Sequence, residues 1–167
     1  SYTRARINSI NRTSIKKALE QGKIVIVAGF QGIDEEGNIT TLGRGGSDAT
    51  AVALAARMKA LRCEICTDVD GVFTADPGLV PEAKIIKEIS HDEMSEMAIL
   101  GAKVLYYRAI DIARNYGVEM LVKSSFHDVP GTIIRTREEI LMLEKVNVRA
   151  VTHEINVGKV VMKNVPD

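Results

Sequence analysis

Residues 43–48, with the sequence Gly-Arg-Gly-Gly-Ser-Asp, combine several features that favour binding of an anion. Glycines let the backbone turn tightly, so that neighbouring N–H groups can point the same way and form an anion-binding concavity. The apolar run 49–58 predicts a helix that Ser47 or Asp48 can cap, and a helix N-terminus attracts negative charge. Arg44 adds a planar guanidinium that suits a carboxylate or a phosphate. A glycine-rich connection between a strand and a helix, with a solvated arginine, explains these residues equally well.

A second segment, residues 67–77, has the sequence Thr-Asp-Val-Asp-Gly-Val-Phe-Thr-Ala-Asp-Pro. It follows the apolar stretch 62–66, which predicts a short buried strand. An acidic turn at the carboxyl end of a strand lies where α/β sheets usually bind ligands. A calcium loop is excluded, because the glycine comes too early and Leu79 stands where the bidentate acid belongs. Taken alone, the segment is also explained by a plain acidic turn.

Composition narrows the class of protein. The chain has 167 residues, enough for one domain with a core. Lys plus Arg and Asp plus Glu each number 22, so no net charge favours nucleic acid or an anionic membrane as a partner. No apolar run approaches the roughly eighteen residues of a transmembrane helix, and no leader pattern is present. We therefore expect a cytoplasmic protein.

The cysteines and histidines do not form a metal-ligand pattern. Cys63 and Cys66 are spaced C-x-x-C, but a zinc site needs a second pair of ligands, so they are predicted to be reduced, buried thiols. His91, His127 and His153 are predicted to lie at the surface. No metal-ligating residue is therefore assigned.

Helical and strand patterns alternate along the chain, which predicts an α/β fold. Helices are predicted at 11–21, 49–58, 90–100 and 102–116, and strands at 24–28, 39–42, 62–66 and 118–123. The continuous apolar run 24–28 is typical of a strand covered on both faces. Ser90 and Glu93 form a capping box, and Gly117 predicts a helix end.

After Thr132 the pattern changes. Residues 136–145 are charged and helix-prone, whereas 148–152 and 157–163 predict two strands before the ending Val-Pro-Asp. A terminal hairpin packed on the main sheet is one interpretation of these strands.

Together, and in this order, these segments resemble the aspartokinases of the amino-acid kinase family. The resemblance runs through residues 22–32, 40–48, 67–77, 101–105 (Gly-Ala-Lys-Val-Leu), 123–126 (Lys-Ser-Ser-Phe) and 130–132 (Pro-Gly-Thr). It implies a partial three-layer α/β/α sandwich of the amino-acid kinase (carbamate kinase-like) type, with a C-terminal stub of an ACT-like α+β domain. The implied divisions are a C-terminal, nucleotide-binding part of the kinase domain (1–134), a linker helix (135–147) and the truncated first strands of an ACT-like regulatory domain (148–167).

The implied reaction is phosphoryl transfer from MgATP to the side-chain carboxylate of L-aspartate, giving 4-phospho-L-aspartate. That step leads toward lysine, threonine and methionine. The resemblance also implies ATP and Mg²⁺ as cofactors and a homo-oligomer at full length. Two alternatives remain: another family member, such as a glutamate, acetylglutamate or uridylate kinase, or a non-catalytic nucleotide-binding or regulatory subunit.

The resemblance also assigns roles to individual residues. The catalytic residues are Asp48 and Lys103; the substrate-binding residues are Phe30, Arg44, Gly45, Gly46 and Ser47; the nucleotide-binding residues are Thr67, Asp68, Phe73, Gly78 and Lys103.

Three departures from the family pattern accompany these assignments. Gly78 stands where the family usually has an arginine that reaches the nucleotide, and Tyr106-Tyr107 replaces the common His-Pro before Arg108. The family's Lys-Phe-Gly-Gly segment does not occur before Gly22. We therefore expect that the N-terminal half of the catalytic domain is missing and that the 167-residue chain alone is inactive.

Overall fold

The computed structural model describes residues 5–137, 148–155 and 158, which form four helices and six strands interspersed along the chain. The helices are α1 (Thr13–Glu20), α2 (Gly46–Met58), α3 (His91–Ile99) and α4 (Tyr107–Tyr116). The strands are β1 (Gln31–Ile33), β2 (Ile39–Thr41), β3 (Cys63–Thr67), β4 (Glu88–Ser90), β5 (Met120–Ser124) and β6 (Thr132–Arg135). The α/β class predicted from the sequence is confirmed.

The larger sheet has four strands in the order β3-β5-β6-β4. β3 pairs in parallel with β5 and β4 with β6, whereas β5 and β6 run antiparallel. Because β3 and β5 are parallel, their carboxyl ends meet: Thr67 is opposite Ser124, and the Ser125 N–H donates to the Thr67 carbonyl at 2.7 Å. The acidic segment after β3 therefore starts at the sheet edge where α/β folds bind ligands. β1 and β2 form a separate antiparallel ribbon.

The core lies between the sheet and helices α2, α3 and α4, with α4 packed against both other helices. Its fully buried side chains include Val52, Met94, Ile110, Met120 and Ile134. Each such side chain contributes about 1.5–3 kcal/mol when it leaves water. This packing fixes the N-terminal ends of α2 and α4 relative to each other.

Local sequence patterns predict some helix ends correctly and others wrongly. The capping box of Ser90 and Glu93 starts α3, and Gly117, with a φ of 62°, ends α4, both as predicted. The predicted helix 102–116 is wrong at its start, because α4 begins at Tyr107 and residues 102–106 form turns. The predicted cap of α2 is also wrong: the N-cap is Gly45, and Ser47 and Asp48 lie in the first turn.

The predicted strand at 24–28 is not formed. Ile24 and Ile26 are 94% and 95% exposed. A strand requires a neighbour that supplies backbone hydrogen bonds, and residues 24–28 belong to no sheet in the part of the chain that the structure describes. The sequence pattern of a buried strand is present, but the described residues supply no partner strand for it.

The histidine and cysteine predictions were only partly right. His91 is buried, with 2% exposure, and its Nε2 lies 3.0 Å from the Val118 carbonyl oxygen, whereas His127 and His153 are exposed. Cys63 is buried and Cys66 is exposed, both as free thiols. Burial, with the nearby Asp48 and Glu64 carboxylates, raises the pKa of the Cys63 thiol to about 11.

Residues 148–155 form no strand, so the predicted strand 148–152 is wrong. They pack on the domain instead: the Val151 N–H donates to the Thr74 carbonyl at 2.9 Å, and Arg149 Nη1 donates to the Glu88 carbonyl at 2.8 Å. The predicted linker helix and the strand 157–163 lie almost entirely outside the described residues. The domain boundaries and the ACT-like stub therefore stay predictions. Among the described residues, no helix is long and apolar enough to cross a bilayer.

Candidate active site

Residues 43–48, the glycine turn, lead from β2 into α2 in a conformation that needs glycine. Gly43 and Gly45 have φ values of 79° and 67°, in the left-handed region that side chains disfavour. The Gly46 N–H donates to the Gly43 carbonyl at 2.9 Å and closes the turn. The turn therefore delivers the chain into the first turn of α2, where helical N–H groups lack partners within the helix and favour an anion.

Phe30 packs directly against the glycine turn. A Cβ on Gly46 would lie 2.9 Å from Phe30 Cδ2, so that position accepts only glycine without rearrangement. The Phe30 N–H donates to Thr50 Oγ1 at 3.1 Å, and Thr50 Oγ1 donates to the Gly46 carbonyl at 2.7 Å. Phe30 has a φ of 71°, a conformation that costs energy for a side-chain-bearing residue and is frequent at functional sites.

The polar side chains of the glycine turn differ in their exposure. Arg44 is exposed and has no ion pair or hydrogen bond with the described residues, so its guanidinium is available to a ligand. Ser47 Oγ donates to Asp48 Oδ1 at 3.4 Å. Asp48 is partly buried, and this burial raises the pKa of its carboxyl group, while the Tyr106 backbone N–H and the Ser47 hydroxyl act in the opposite direction.

A second region, the cleft, has a volume of about 620 Å³ and follows the carboxyl end of β3. Four of the five predicted nucleotide-binding residues line it: Thr67, Asp68, Phe73 and Lys103. Thr67 Oγ1 donates to Asp68 Oδ1 at 3.0 Å. Gly78 lies just outside the lining, where its N–H donates to Asp76 Oδ1 at 2.8 Å. The cleft thus unites residues that are 36 positions apart in the sequence, Thr67 and Lys103.

Thr132 holds the segment that forms one wall of the cleft. This residue is fully buried on β6, accepts from the Val72 N–H at 2.8 Å and donates to the Ile86 carbonyl at 2.6 Å. A Cβ on Gly71 would lie 2.8 Å from Thr132 Oγ1. The acidic segment is therefore fixed by a buried hydroxyl that is remote in sequence.

Two parts of the site were not predicted. Residues 151–155 line the cleft and meet the acidic segment, where the Val151 N–H donates to the Thr74 carbonyl, and the His153 carbonyl oxygen lies against Gly101, whose φ is 114°. His127 Nδ1 lies 2.7 Å from Asp70 Oδ1 at the start of the acidic segment. No local pattern marks either feature, because both depend on chain segments that meet only after folding.

The two residues predicted to be catalytic occupy different regions. Lys103 lines the cleft, whereas Asp48 lies in the first turn of α2 and is not part of the lining. Residues 101–106, the connecting segment, join the regions: Lys103 and Val104 line the cleft, and Tyr106 contacts the glycine turn. The glycine turn and the cleft are therefore connected by a short stretch of chain.

Comparison with known proteins identifies the family of this chain. The model of the amino acid kinase family matches residues 2–124, and the chain belongs to that family. Its curated relatives include an aspartokinase from Bacillus sp. (strain MGA3), 52% identical over 99% of this chain, and one from Pseudomonas aeruginosa, 48% identical over 100% of it. The chain spans 40% of the length of each of these relatives.

Solved structures give the same result. The aspartate kinase from Synechocystis matches with a TM-score of 0.65 and 59% identity, over 73% of this chain and 21% of its own. E. coli aspartokinase III in complex with aspartate and ADP matches with a TM-score of 0.67 and 40% identity, over 74% of this chain and 28% of its own. A UMP kinase from Bacillus anthracis, 22% identical with a TM-score of 0.58, over 77% of this chain and 52% of its own, shares the fold alone. The predicted amino-acid kinase fold is confirmed.

Proposed function

We propose that the full-length protein containing these residues is an aspartate kinase that transfers the γ-phosphoryl group of MgATP to the side-chain carboxylate of L-aspartate. The product is 4-phospho-L-aspartate. Support comes from relatives called aspartokinase at about half identity over the whole chain and from a solved relative in complex with aspartate and ADP. The protein would act in the cytoplasm, as a homo-oligomer.

The cleft is the proposed nucleotide site. Lys103 supplies a cation that can neutralise charge on the transferring phosphoryl group, and Thr67 and Asp68 offer polar contacts beside it. Mg²⁺ in phosphoryl-transfer sites is held by one or two carboxylates together with phosphate oxygens. Asp68 and Asp76 line the cleft, and their carboxylates are suited to that role. The metal, when bound, would neutralise charge on the phosphates.

The glycine turn is the proposed acceptor site. The exposed guanidinium of Arg44 can bind one carboxylate of aspartate in a bidentate manner. The attacking carboxylate of aspartate has a pKa near 3.9 and is already ionised at neutral pH, so no general base is required. The protein's task is then to align acceptor and phosphoryl donor. Asp48, beside Ser47 in the first turn of α2, would orient the substrate ammonium group.

One observation carries this proposal. Arg44 on the glycine turn is available to a ligand, and a short stretch of chain connects that turn with the cleft that Lys103 lines. The test is a coupled ADP-release assay on the full-length protein with MgATP and aspartate, glutamate or UMP. We expect ADP release that depends on aspartate. Equal or greater release with glutamate or UMP would contradict the proposal and favour another member of the family.

The same assay addresses the shorter chain. We expect the 167-residue chain to release no aspartate-dependent ADP, because it spans 40% of the length of its curated relatives and groups that act as a unit in catalysis fail together when some are absent. A Lys103→Met variant of the full-length protein should lose turnover or ATP affinity, with Lys16→Met on α1 as the matched control. Full activity in Lys103→Met would remove the cleft lysine from the mechanism.

A further inference from the structure

Tyr106 lies where the resemblance to aspartokinases fails, and its ring rests on the glycine turn. A Cβ built on Gly45 would overlap the Cβ and Cγ atoms of Tyr106 and lie 2.6 Å from Cδ1. Gly45 is the N-cap of α2 and has a φ of 67°. The aromatic ring therefore covers the backbone at the point where the glycine turn enters the helix.

A backbone hydrogen bond also joins Tyr106 to the glycine turn. The Tyr106 N–H donates to the Asp48 carboxylate, which lies in the first turn of α2. Tyr106 is also the N-cap of α4, and it provides no side-chain cap there. Its side chain is thus not used to start its own helix.

The surroundings of Tyr106 are anchored. Leu105 is buried in the core with 4% exposure, and Arg108 Nη1 donates to the Leu42 carbonyl at 3.0 Å, just before the glycine turn. Arg108 Nη2 also donates to the Ala5 carbonyl at 2.8 Å. These contacts anchor the chain on both sides of Tyr106 and so keep its Cβ close to Gly45.

We propose that Tyr106 is a positioning residue for the acceptor site, whose ring fixes the glycine turn in the conformation that presents Arg44 and the N-terminus of α2 to the amino-acid substrate. This inference rests on the proposed aspartate kinase function. It adds a residue that the resemblance does not assign, at a position where the family has a different side chain. Lys103, three residues earlier, lines the cleft. Removing the Tyr106 ring should therefore weaken binding of the amino-acid acceptor more than binding of the nucleotide.

The kinetic test uses four variants of the full-length protein. Tyr106→Ala should raise the Michaelis constant for aspartate about 10- to 100-fold, because small displacements of a positioning element cost up to about 100-fold, with a smaller change in the Michaelis constant for ATP. Tyr106→Phe retains the ring and should stay within about twofold of wild type. Tyr106→Leu replaces the ring by a shorter apolar side chain and should show the same increase in the Michaelis constant for aspartate. It takes the place of Tyr106→Ala if the alanine variant does not fold. Tyr116→Ala, at the other end of α4 and 72% exposed, is the matched control.

A second readout needs no substrate. Hydrogen exchange of the unliganded full-length protein should be faster at residues 43–48 in Tyr106→Ala and unchanged in Tyr106→Phe and Tyr116→Ala. If wild type releases no aspartate-dependent ADP, the proposed function fails, while faster exchange in Tyr106→Ala alone would still support positioning of the turn. An unchanged Michaelis constant for aspartate in an active Tyr106→Ala or Tyr106→Leu enzyme overturns the proposal, as does exchange equal to wild type.

Discussion

In the proposed acceptor site, the exposed Arg44 on the glycine turn is the residue expected to bind a carboxylate of the substrate. Arg44→Ala in the full-length protein should weaken aspartate use far more than ATP use, because a hydrogen bond to a charged group contributes about 1.5–3 kcal/mol. Arg44→Lys should recover only part of the loss, since an ammonium group cannot form the bidentate contact. Steady-state kinetics for both substrates measure the difference.

The matched control for Arg44 is Arg57→Ala, which removes an exposed arginine from the last turn of α2, the helix that follows the glycine turn. That variant should retain the Michaelis constants of wild type. If Arg44→Ala and Arg57→Ala had the same effect on aspartate, a general loss of positive charge would explain it, and Arg44 would have no specific role.

Asp48 gives stability a pH dependence whose sign follows from its environment. Burial raises the pKa of the carboxyl group above its ordinary value of 3.8, so the folded state binds this proton more tightly than the unfolded chain. The stabilising contribution is complete below the unfolded pKa and is lost as pH rises through the folded pKa. The free energy of unfolding of wild type, relative to Asp48→Asn, should therefore decrease from about pH 4 toward neutral pH.

Urea unfolding of both proteins at a series of pH values measures this change. Asp34→Asn provides a control of opposite sign, because the Asn38 backbone N–H lowers the pKa of the exposed Asp34 carboxyl group. Its contribution is present above the unfolded pKa and is lost as pH falls. A pH-independent difference between wild type and Asp48→Asn would show that the carboxyl group has the same pKa in both states.

Among the elements, the link between β6 and the acidic segment depends on Thr132. Thr132→Val removes a buried hydroxyl that accepts from the Val72 N–H and donates to the Ile86 carbonyl. Each buried group left without a partner costs about 1–3 kcal/mol, so the free energy of unfolding should fall by at least that much. ATP affinity should fall as well, because the Val72 backbone forms part of the cleft wall.

Thr132→Ser keeps the hydroxyl and serves as the control, with a loss of stability limited to that of one methyl group. Urea unfolding and calorimetric titration with a non-hydrolysable ATP analogue distinguish the two variants. Equal stability of Thr132→Val and wild type would mean that water replaces both hydrogen bonds, which the full burial of this side chain argues against.

The elements also show which structural features local sequence determines. The capping box at Ser90 and the helix end at Gly117 were predicted because the interactions form between residues close in sequence. The start of α4 was not, since tertiary contacts accompany it: Tyr106 packs on Gly45 of the glycine turn, and Arg108 donates to the Leu42 carbonyl just before that turn. For the same reason the sequence motifs point to residues such as Thr67 and Lys103, which line the cleft, whereas they do not show Tyr106 as a contact of Gly45 or residues 151–155 as a cleft wall.

At the scale of the whole molecule, the apolar run 24–28 has the sequence pattern of a buried strand but does not form one. In the part of the chain that the structure describes, no other segment pairs with it, and the chain spans 40% of the length of its curated relatives. We expect that in the full-length protein a segment outside the described residues pairs with it. Exposed, β-prone apolar segments without a partner promote association between chains.

The isolated 167-residue chain should therefore self-associate, and Ile24→Lys with Ile26→Lys should reduce that association by placing charges on the exposed segment. Size-exclusion chromatography with light scattering measures the oligomer size. Leu61→Lys with Leu79→Lys is the matched control: it adds the same charge at two other exposed leucines, 94% and 64% accessible, and should leave association unchanged. In the full-length protein the isoleucine variant should instead lower the free energy of unfolding, because the segment is covered there. If the isolated chain is a monomer, or if both double variants reduce its association equally, residues 24–28 are not the surface that requires a partner.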